Sequence, residues 1–194
     1  MAVTHTTQHT HKAFAEIVRH LTAGETADEP TPRHPTAVAI TAGLTRIALG
    51  WVFLWAFLDK TFGLGFATPA EGSWLNGGSP TTGFLAHADG TSAGFFNSMA
   101  GLGWADWLFM AGLLGIGAAF MLGIFVNIAA ASGALMLVLM WAAELPLEND
   151  PFMDDHLVYA GVMVLLALLG AGRYLGLGAY WERLPIVRKH TTLR

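Results

Sequence analysis

The sequence contains no cysteine in 194 residues. Without cysteine the chain cannot form a disulfide, a thiolate metal site, an iron–sulfur cluster or a covalent cysteine intermediate. Charged residues are also scarce, at 12%, and the ten Lys and Arg residues form no basic stripe. A nucleic-acid-binding surface is therefore excluded. Any redox chemistry has to use a carrier other than a protein thiol.

Apolar residues are abundant instead, at 54% of the chain with a mean hydropathy of +0.49. These values lie above those of ordinary soluble domains. A helix that crosses the lipid bilayer needs about 20 apolar residues. Four such runs are predicted as membrane spans, at residues 37–57, 106–124, 128–145 and 157–175. We therefore predict an all-α integral membrane protein built as a four-helix bundle.

The second and third predicted spans are separated only by residues 125–127. One continuous run of about 40 apolar residues would be twice as long as a bilayer requires, so a tight antiparallel hairpin is predicted. In the second span small residues recur every four positions, at Ala111, Gly115, Ala119 and Gly123. Such a ladder allows the backbone of a neighbouring helix to approach closely.

The predicted domains are a polar tail (residues 1–35), a membrane domain (36–182) with an outer loop (66–103), and a basic tail (183–194). The outer loop contains no Lys or Arg, whereas the basic residues gather beside the two ends of the chain. Both termini are therefore predicted to be cytoplasmic. The first tail also has apolar residues at helical spacing that predict an amphipathic helix, at Phe14, Ile17, Val18 and Leu21.

With this topology, ionisable residues converge at the outer ends of the four spans. They are Asp59, Lys60, Asp106, Glu144, Asp154, Asp155 and His156. Ionisable groups at the hydrocarbon boundary are costly unless they are paired or in contact with water. The pattern indicates either a salt-bridged collar or the mouth of a binding site.

A binding site for membrane quinone would use a histidine to donate to the quinone carbonyl and carboxylates to relay protons. On this interpretation His156, Glu144 and Asp106 are the candidate catalytic residues. Neither a metal site nor a haem site is predicted, because the tail histidines lack ligand spacing and no pair of haem ligands lies in mid-bilayer.

Arg46 lies within the first span, fourteen residues before Lys60. At 100° per residue the two side chains return to nearly the same helix face, so both are predicted to point into the bundle. Together with Asp59 they are candidate residues for binding a quinone headgroup or an anionic substrate.

Three stretches carry a family resemblance: RIALGWVFL followed by Lys60, GLLGIGAAFMLGI, and NDPFMDDHLVYAGVMVLLALLGAGRYLGLG. Over residues 43–182 they resemble the DoxX family, most closely its DoxD-like branch. The resemblance implies a four-helix fold and the membrane subunit of a thiosulfate:quinone oxidoreductase, in which thiosulfate is oxidised outside and quinone is reduced in the membrane. Phe57 departs from the family pattern, which commonly has glycine three residues before the lysine.

The leading hypothesis is therefore a membrane subunit of a quinone-linked oxidoreductase that oxidises thiosulfate or another small reductant. Because the chain offers no redox group of its own, a second protein subunit or redox partner is expected. A homo-oligomer is compatible with the sequence. The alternative hypothesis is a non-catalytic membrane scaffold that anchors a redox partner. A transporter is disfavoured by the lack of internal repeats and broken helices.

Overall fold

The computed structural model describes residues 36–88, 92–147 and 150–194. The predicted polar tail and its amphipathic helix lie outside these residues. Within the described ranges the secondary structure is helical, without a strand. The helices are α1 (Thr36–Phe62), α2 (Thr82–Ala86), α3 (Ala93–Asn97), α4 (Gly103–Leu122), α5 (Val126–Ala143), α6 (Asp155–Leu168), α7 (Gly178–Trp181) and α8 (Pro185–Lys189).

Three helices, α1, α4 and α5, are long and apolar enough to cross a membrane. Large apolar side chains also cover their outward faces, for example Leu44, Leu108 and Leu135, which are 56%, 67% and 61% exposed. A helix of a soluble protein would carry polar residues there. The prediction of an all-helical protein embedded in a membrane is confirmed at this level.

The helix that corresponds to the fourth predicted span is shorter than expected. Helix α6 has 14 residues and ends at Leu168, seven residues before the predicted end. Gly170 then adopts a left-handed conformation with φ of 61°, and a 3₁₀ turn follows at Ala171–Arg173. At 1.5 Å per residue α6 is about 21 Å long, less than the hydrocarbon thickness of about 30 Å.

One apolar core draws residues from α1, α4, α5 and α6. It includes Leu49, Phe53, Met110, Ile116, Phe120, Leu137, Ala160 and Met163. Helix α1 packs along α4, and α5 packs along α6. Helices α4 and α5 form the predicted tight hairpin, which turns at Gly123 and Phe125, both with positive φ.

The contact between α1 and α4 depends on two glycines. A Cβ atom at Gly117 would lie 2.7 Å from the backbone nitrogen of Leu54, and one at Gly50 would lie 2.7 Å from that of Met121. Gly115 is exposed and faces no atom within 4 Å. The predicted small-residue ladder is therefore wrong at Gly115. The helix face that contacts α1 passes through Gly117.

Alanine at these two glycines should have opposite effects on stability. Gly117→Ala forces the two backbones apart, which costs about 1–3 kcal/mol. Gly115→Ala removes backbone freedom in the unfolded chain without a clash and should stabilise by about 0.5–1 kcal/mol. Thermal melts of both variants in one detergent test this. Equal melting temperatures for the two variants would mean that α1 and α4 do not meet at Gly117.

The antiparallel packing creates two ends with different charge. What we call the acidic end holds the end of α1, the start of α4, the end of α5 and the start of α6. Its carboxylates include Asp59, Asp106, Glu144, Asp150, Asp154 and Asp155. What we call the basic end holds the α4–α5 turn and residues 173–194, with basic residues Arg173, Arg183, Arg188, Lys189 and Arg194.

Candidate functional site

A cleft of about 760 Å³ opens at the acidic end. Its volume lies in the range of small-molecule sites in proteins. Helix α2, the end of α5 and the segment before α6 form its walls. The apolar lining side chains include those of Phe84, Leu147 and Met153. The ionisable ones are His87, Glu144, Asp150, Asp154 and Asp155, so the described lining contains no Lys or Arg.

Asp154 positions a histidine at the start of α6. Its Oδ1 accepts a hydrogen bond from the backbone nitrogen of Leu157 at 3.1 Å and so caps the helix. Its Oδ2 lies 2.7 Å from Nδ1 of His156. The side chains of His156 and Asp154 are only 16% and 14% exposed. One carboxylate therefore both caps α6 and fixes the orientation of the imidazole.

Glu144 brings a second carboxylate to the same ring. It follows the last residue of α5, and its Oε2 lies 3.7 Å from Nδ1 of His156. The Glu144 side chain is 41% exposed, so it also contacts solvent. Oδ1 of Asp155 lies 3.6 Å from the same nitrogen. The structure thus joins two of the three predicted catalytic residues, with the solvent-exposed Glu144 beside the imidazole of His156.

The same group has the donor atoms for a divalent cation. The ligand atoms of Glu144, Asp154 and His156 all lie within 4.8 Å of one another. Carboxylate oxygen and imidazole nitrogen together suit ions such as Zn²⁺, Mn²⁺ or Fe²⁺. A functional assay has to separate proton relay from cation binding at this point.

The segment that leads into α6 is attached to α5. Oδ1 of Asp150 accepts hydrogen bonds from the backbone nitrogens of Phe152 and Met153, at 2.9 and 2.7 Å. These bonds lower the pKa of the Asp150 carboxyl below its ordinary value, so it is ionised at neutral pH. Nε1 of Trp141 donates to the carbonyl of Phe152 at 2.9 Å, and the two rings pack edge to face.

Asp106, the third predicted catalytic residue, has a different environment. Its Oδ1 accepts hydrogen bonds from Oγ of Ser79 at 2.8 Å, and from the backbone nitrogen and Oγ1 of Thr81 at 3.1 and 2.6 Å. Asp106 is 8% exposed and does not line the cleft. The structure therefore does not bring Asp106 to His156. Instead, Asp106 attaches α4 to the loop that precedes α2.

Asp106→Ala should loosen this loop. The change leaves the buried hydroxyl and backbone nitrogen of Thr81 without their acceptor, at a cost of about 1–3 kcal/mol. Limited proteolysis should cut residues 77–82 faster than in the wild type. Asp106→Asn retains an acceptor oxygen and serves as the matched control, with a smaller increase. Cleavage of the Asp106→Ala protein at the wild-type rate would show that Asp106 does not hold the loop before α2.

Arg46 is fully buried and is bonded to backbone. Its guanidinium donates to the carbonyls of Phe120 and Met121 at the end of α4. It also donates to three carbonyls after α6, those of Ala171, Tyr174 and Leu175, at 3.0–3.2 Å. The last carbonyls of a helix lack partners within that helix, so Arg46 satisfies them and links three segments at the basic end.

The structure separates Arg46 from Asp59 and Lys60, the other two residues predicted to bind substrate. Fourteen residues of α1 span about 21 Å, so Arg46 and Lys60 lie at opposite ends of the protein although they share a helix face. Asp59 is 2% exposed and accepts from the backbone nitrogens of Phe66 and Ala67, at 3.3 and 3.0 Å. It holds the chain reversal after α1. Lys60 is half-buried in the last turn. No joint anion site is formed.

Most of the cleft residues were not predicted as site residues from the sequence, among them Phe84 and His87. Phe84 and His87 reach the cleft from α2 and the residue after it, and Nδ1 of His87 lies 2.6 Å from the carbonyl of Gly83. They precede Glu144 by more than 50 positions, so no spacing pattern connects them. The capping role of Asp154 could have been predicted from the sequence, because Asp is a favoured residue directly before the start of a helix.

The chain matches no protein-family model, no curated protein and no solved structure. The resemblance to the DoxX family therefore rests on the three sequence stretches alone.

Proposed function

We propose that the chain crosses the membrane four times and that both termini are cytoplasmic, in a bacterial inner membrane. Helix α6 and the residues that follow it, up to about 175, form the fourth crossing. The charge difference between the two ends supports this orientation, because basic residues are retained on the cytoplasmic side of membranes. The cleft then faces the outside.

We further propose that the protein is the membrane subunit of a quinone-linked oxidoreductase and that the cleft receives the quinone headgroup. The observation that supports this is the imidazole of His156, which does not itself line the cleft but lies 2.7 and 3.7 Å from the carboxylate oxygens of two residues that do, Asp154 and Glu144. A quinone headgroup is flat and uncharged, and its two carbonyl oxygens accept hydrogen bonds. Phe84, Leu147 and Met153 provide apolar contacts for the ring.

The protein's part in the reaction is the transfer of protons. Reduction of a quinone to a quinol takes up two electrons and two protons, one proton at each carbonyl oxygen. His156 donates one proton to the nearer oxygen and is reprotonated from outside water through Glu144, and the other oxygen takes the second proton from outside water. The electrons come from a small reductant through a second subunit, since the chain contains no cysteine.

Thiosulfate is a poor substrate for this cleft itself. Four carboxylates line the cleft, those of Glu144, Asp150, Asp154 and Asp155, and the described lining contains no Lys or Arg to balance them. A dianion would be repelled. If thiosulfate is the reductant, its oxidation takes place on the partner subunit, in agreement with the subunit role that the DoxX resemblance implies.

The second candidate function is a non-catalytic scaffold. Arg46, Asp59 and Asp106, all predicted from the sequence as site residues, have their polar atoms bonded to backbone or to loop hydroxyls. These charges stabilise the fold. In a scaffold the acidic cleft would hold a basic segment of a redox partner.

Quinone binding separates the two functions. The protein, in lipid nanodiscs, is titrated with a short-chain ubiquinone and a menaquinone analogue while tryptophan fluorescence is recorded. Trp141 packs on Phe152, which directly precedes the cleft residue Met153, so Trp141→Phe should remove a saturable part of the quenching, although six other tryptophans remain. Quenching that rises linearly and is equal in both proteins would favour the scaffold. If EDTA abolishes the saturable part, the site holds a cation that quinone binding requires.

A further inference from the structure

The C-terminal segment, residues 178–194, is held against the α4–α5 turn at the basic end of the protein. The backbone nitrogen of Asn127 donates to the carbonyl of Arg194 at 2.8 Å, and its Nδ2 donates to that of Thr191 at 3.2 Å. The ring of Trp181 packs on Phe125 with centroids 4.5 Å apart. The segment therefore lies against the α4–α5 turn, at the level where the long apolar helices end.

Three basic side chains of this segment are exposed, those of Arg183, Arg188 and Lys189. The only acidic side chain in the segment is Glu182, and both of its oxygens accept from Nε of Arg173 at 2.8 and 2.9 Å. No carboxylate side chain of the segment thus remains to neutralise the exposed bases.

Exposed apolar side chains alternate with these bases. Tyr180, Leu184 and Ile186 are 68%, 43% and 61% exposed, whereas Val187 is completely buried in the protein. A surface that bound only a soluble anion would have no need of exposed Leu and Ile among its bases. Basic and apolar side chains together are typical of segments that lie in the headgroup region of anionic membranes.

We propose that the C-terminal segment binds the headgroups of anionic phospholipids in the cytoplasmic leaflet. Arg183, Arg188 and Lys189 donate to the lipid phosphates, while Leu184 and Ile186 enter the boundary of the acyl chains. The proposal rests on the four-crossing orientation proposed above and is independent of the quinone site.

The full chain, reconstituted into nanodiscs with equal amounts of phosphatidylglycerol and phosphatidylcholine, is transferred to detergent, and the retained lipids are measured by native mass spectrometry. The wild type should retain phosphatidylglycerol preferentially. Each basic residue near an anionic surface contributes about five-fold, so the triple variant Arg183→Gln/Arg188→Gln/Lys189→Gln should lose the preference by ten-fold or more. The charge-conserving triple Arg183→Lys/Arg188→Lys/Lys189→Arg should keep it.

Equal enrichment in the glutamine triple and the wild type would overturn the proposal. The proposal would also be overturned if the triple glutamine variant still retained phosphatidylglycerol but no longer bound inorganic phosphate, since that result identifies a site for a soluble anion. Because the chain has no cysteine, a single Thr191→Cys variant reports the side of the segment by labelling in intact cells. Labelling from outside would refute the orientation and the lipid proposal together, whereas quinone quenching in the same nanodiscs tests the cleft separately.

Discussion

Replacing Arg46 by methionine should destabilise the protein more than any other single change considered for this fold. The guanidinium is fully buried and is the common partner of carbonyls from α4 and from the chain after α6. Methionine fills most of the volume but has no hydrogen-bond donor, so these buried carbonyls lose their charged donor. We expect a loss on the order of 4 kcal/mol in the free energy of unfolding.

The measurement is a thermal melt in detergent of the wild type, Arg46→Met and Arg46→Lys. For a chain of this size the melting temperature should fall by roughly 10 °C in Arg46→Met. Lysine restores a charge but cannot reach five carbonyls, so its melting temperature should lie between the other two. Arg188→Met, at an exposed arginine, controls for loss of charge. A folded Arg46→Met protein with the melting temperature of the wild type would show that the carbonyls are satisfied without Arg46.

Replacing His156 by alanine should reduce quinone turnover, with the partner subunit present, by about 10²–10⁴-fold, the usual contribution of a general acid or base. The imidazole is the group held between Asp154 and Glu144, so the carboxylates alone would have to donate to the quinone. Glu144→Gln should have a smaller effect, because Asp154 and Asp155 remain beside the ring.

The matched control is His190→Ala, which removes an exposed histidine at the basic end. Asp154→Asn is a poor test, since Asp154 also caps α6 and its loss affects folding. Each variant is compared at equal folded concentration, judged by size-exclusion profile and melting temperature. A folded His156→Ala protein with wild-type turnover would remove the histidine from the proposed proton path.

The long helices were predictable because apolar runs of membrane length have few alternative structures. The early end of α6 was not, since the apolar residues continue past Leu168 and conceal the break at Gly170. Hydropathy counts side chains, whereas the break depends on one left-handed backbone conformation. The small-residue ladder failed at Gly115 for a similar reason: periodicity marks possible faces but does not tell which face meets a neighbour.

The candidate site was predictable where it depended on topology. Glu144 follows the end of α5 and His156 lies at the start of α6, so the antiparallel arrangement of these two consecutive helices alone brings the residues close. Arg46 and Lys60 share a helix face, which predicted a joint site. Their separation of about 21 Å along the helix axis prevents one. Asp106 and the cleft wall from α2 depend on residues 66–103. The sequence predicts one loop there, because helices of five residues leave no periodic signal.

The central claim is that a quinone headgroup occupies the cleft beside His156. Photoaffinity labelling with an azidoquinone in lipid nanodiscs, followed by peptide mapping, tests it directly. We predict that the label falls on residues 83–87 and 143–156, that excess unlabelled quinone suppresses it, and that it is lost from a folded His156→Ala protein. Label spread evenly along the lipid-facing sides of α1, α4 and α5, insensitive to excess quinone, would contradict the claim and leave the scaffold function in its place.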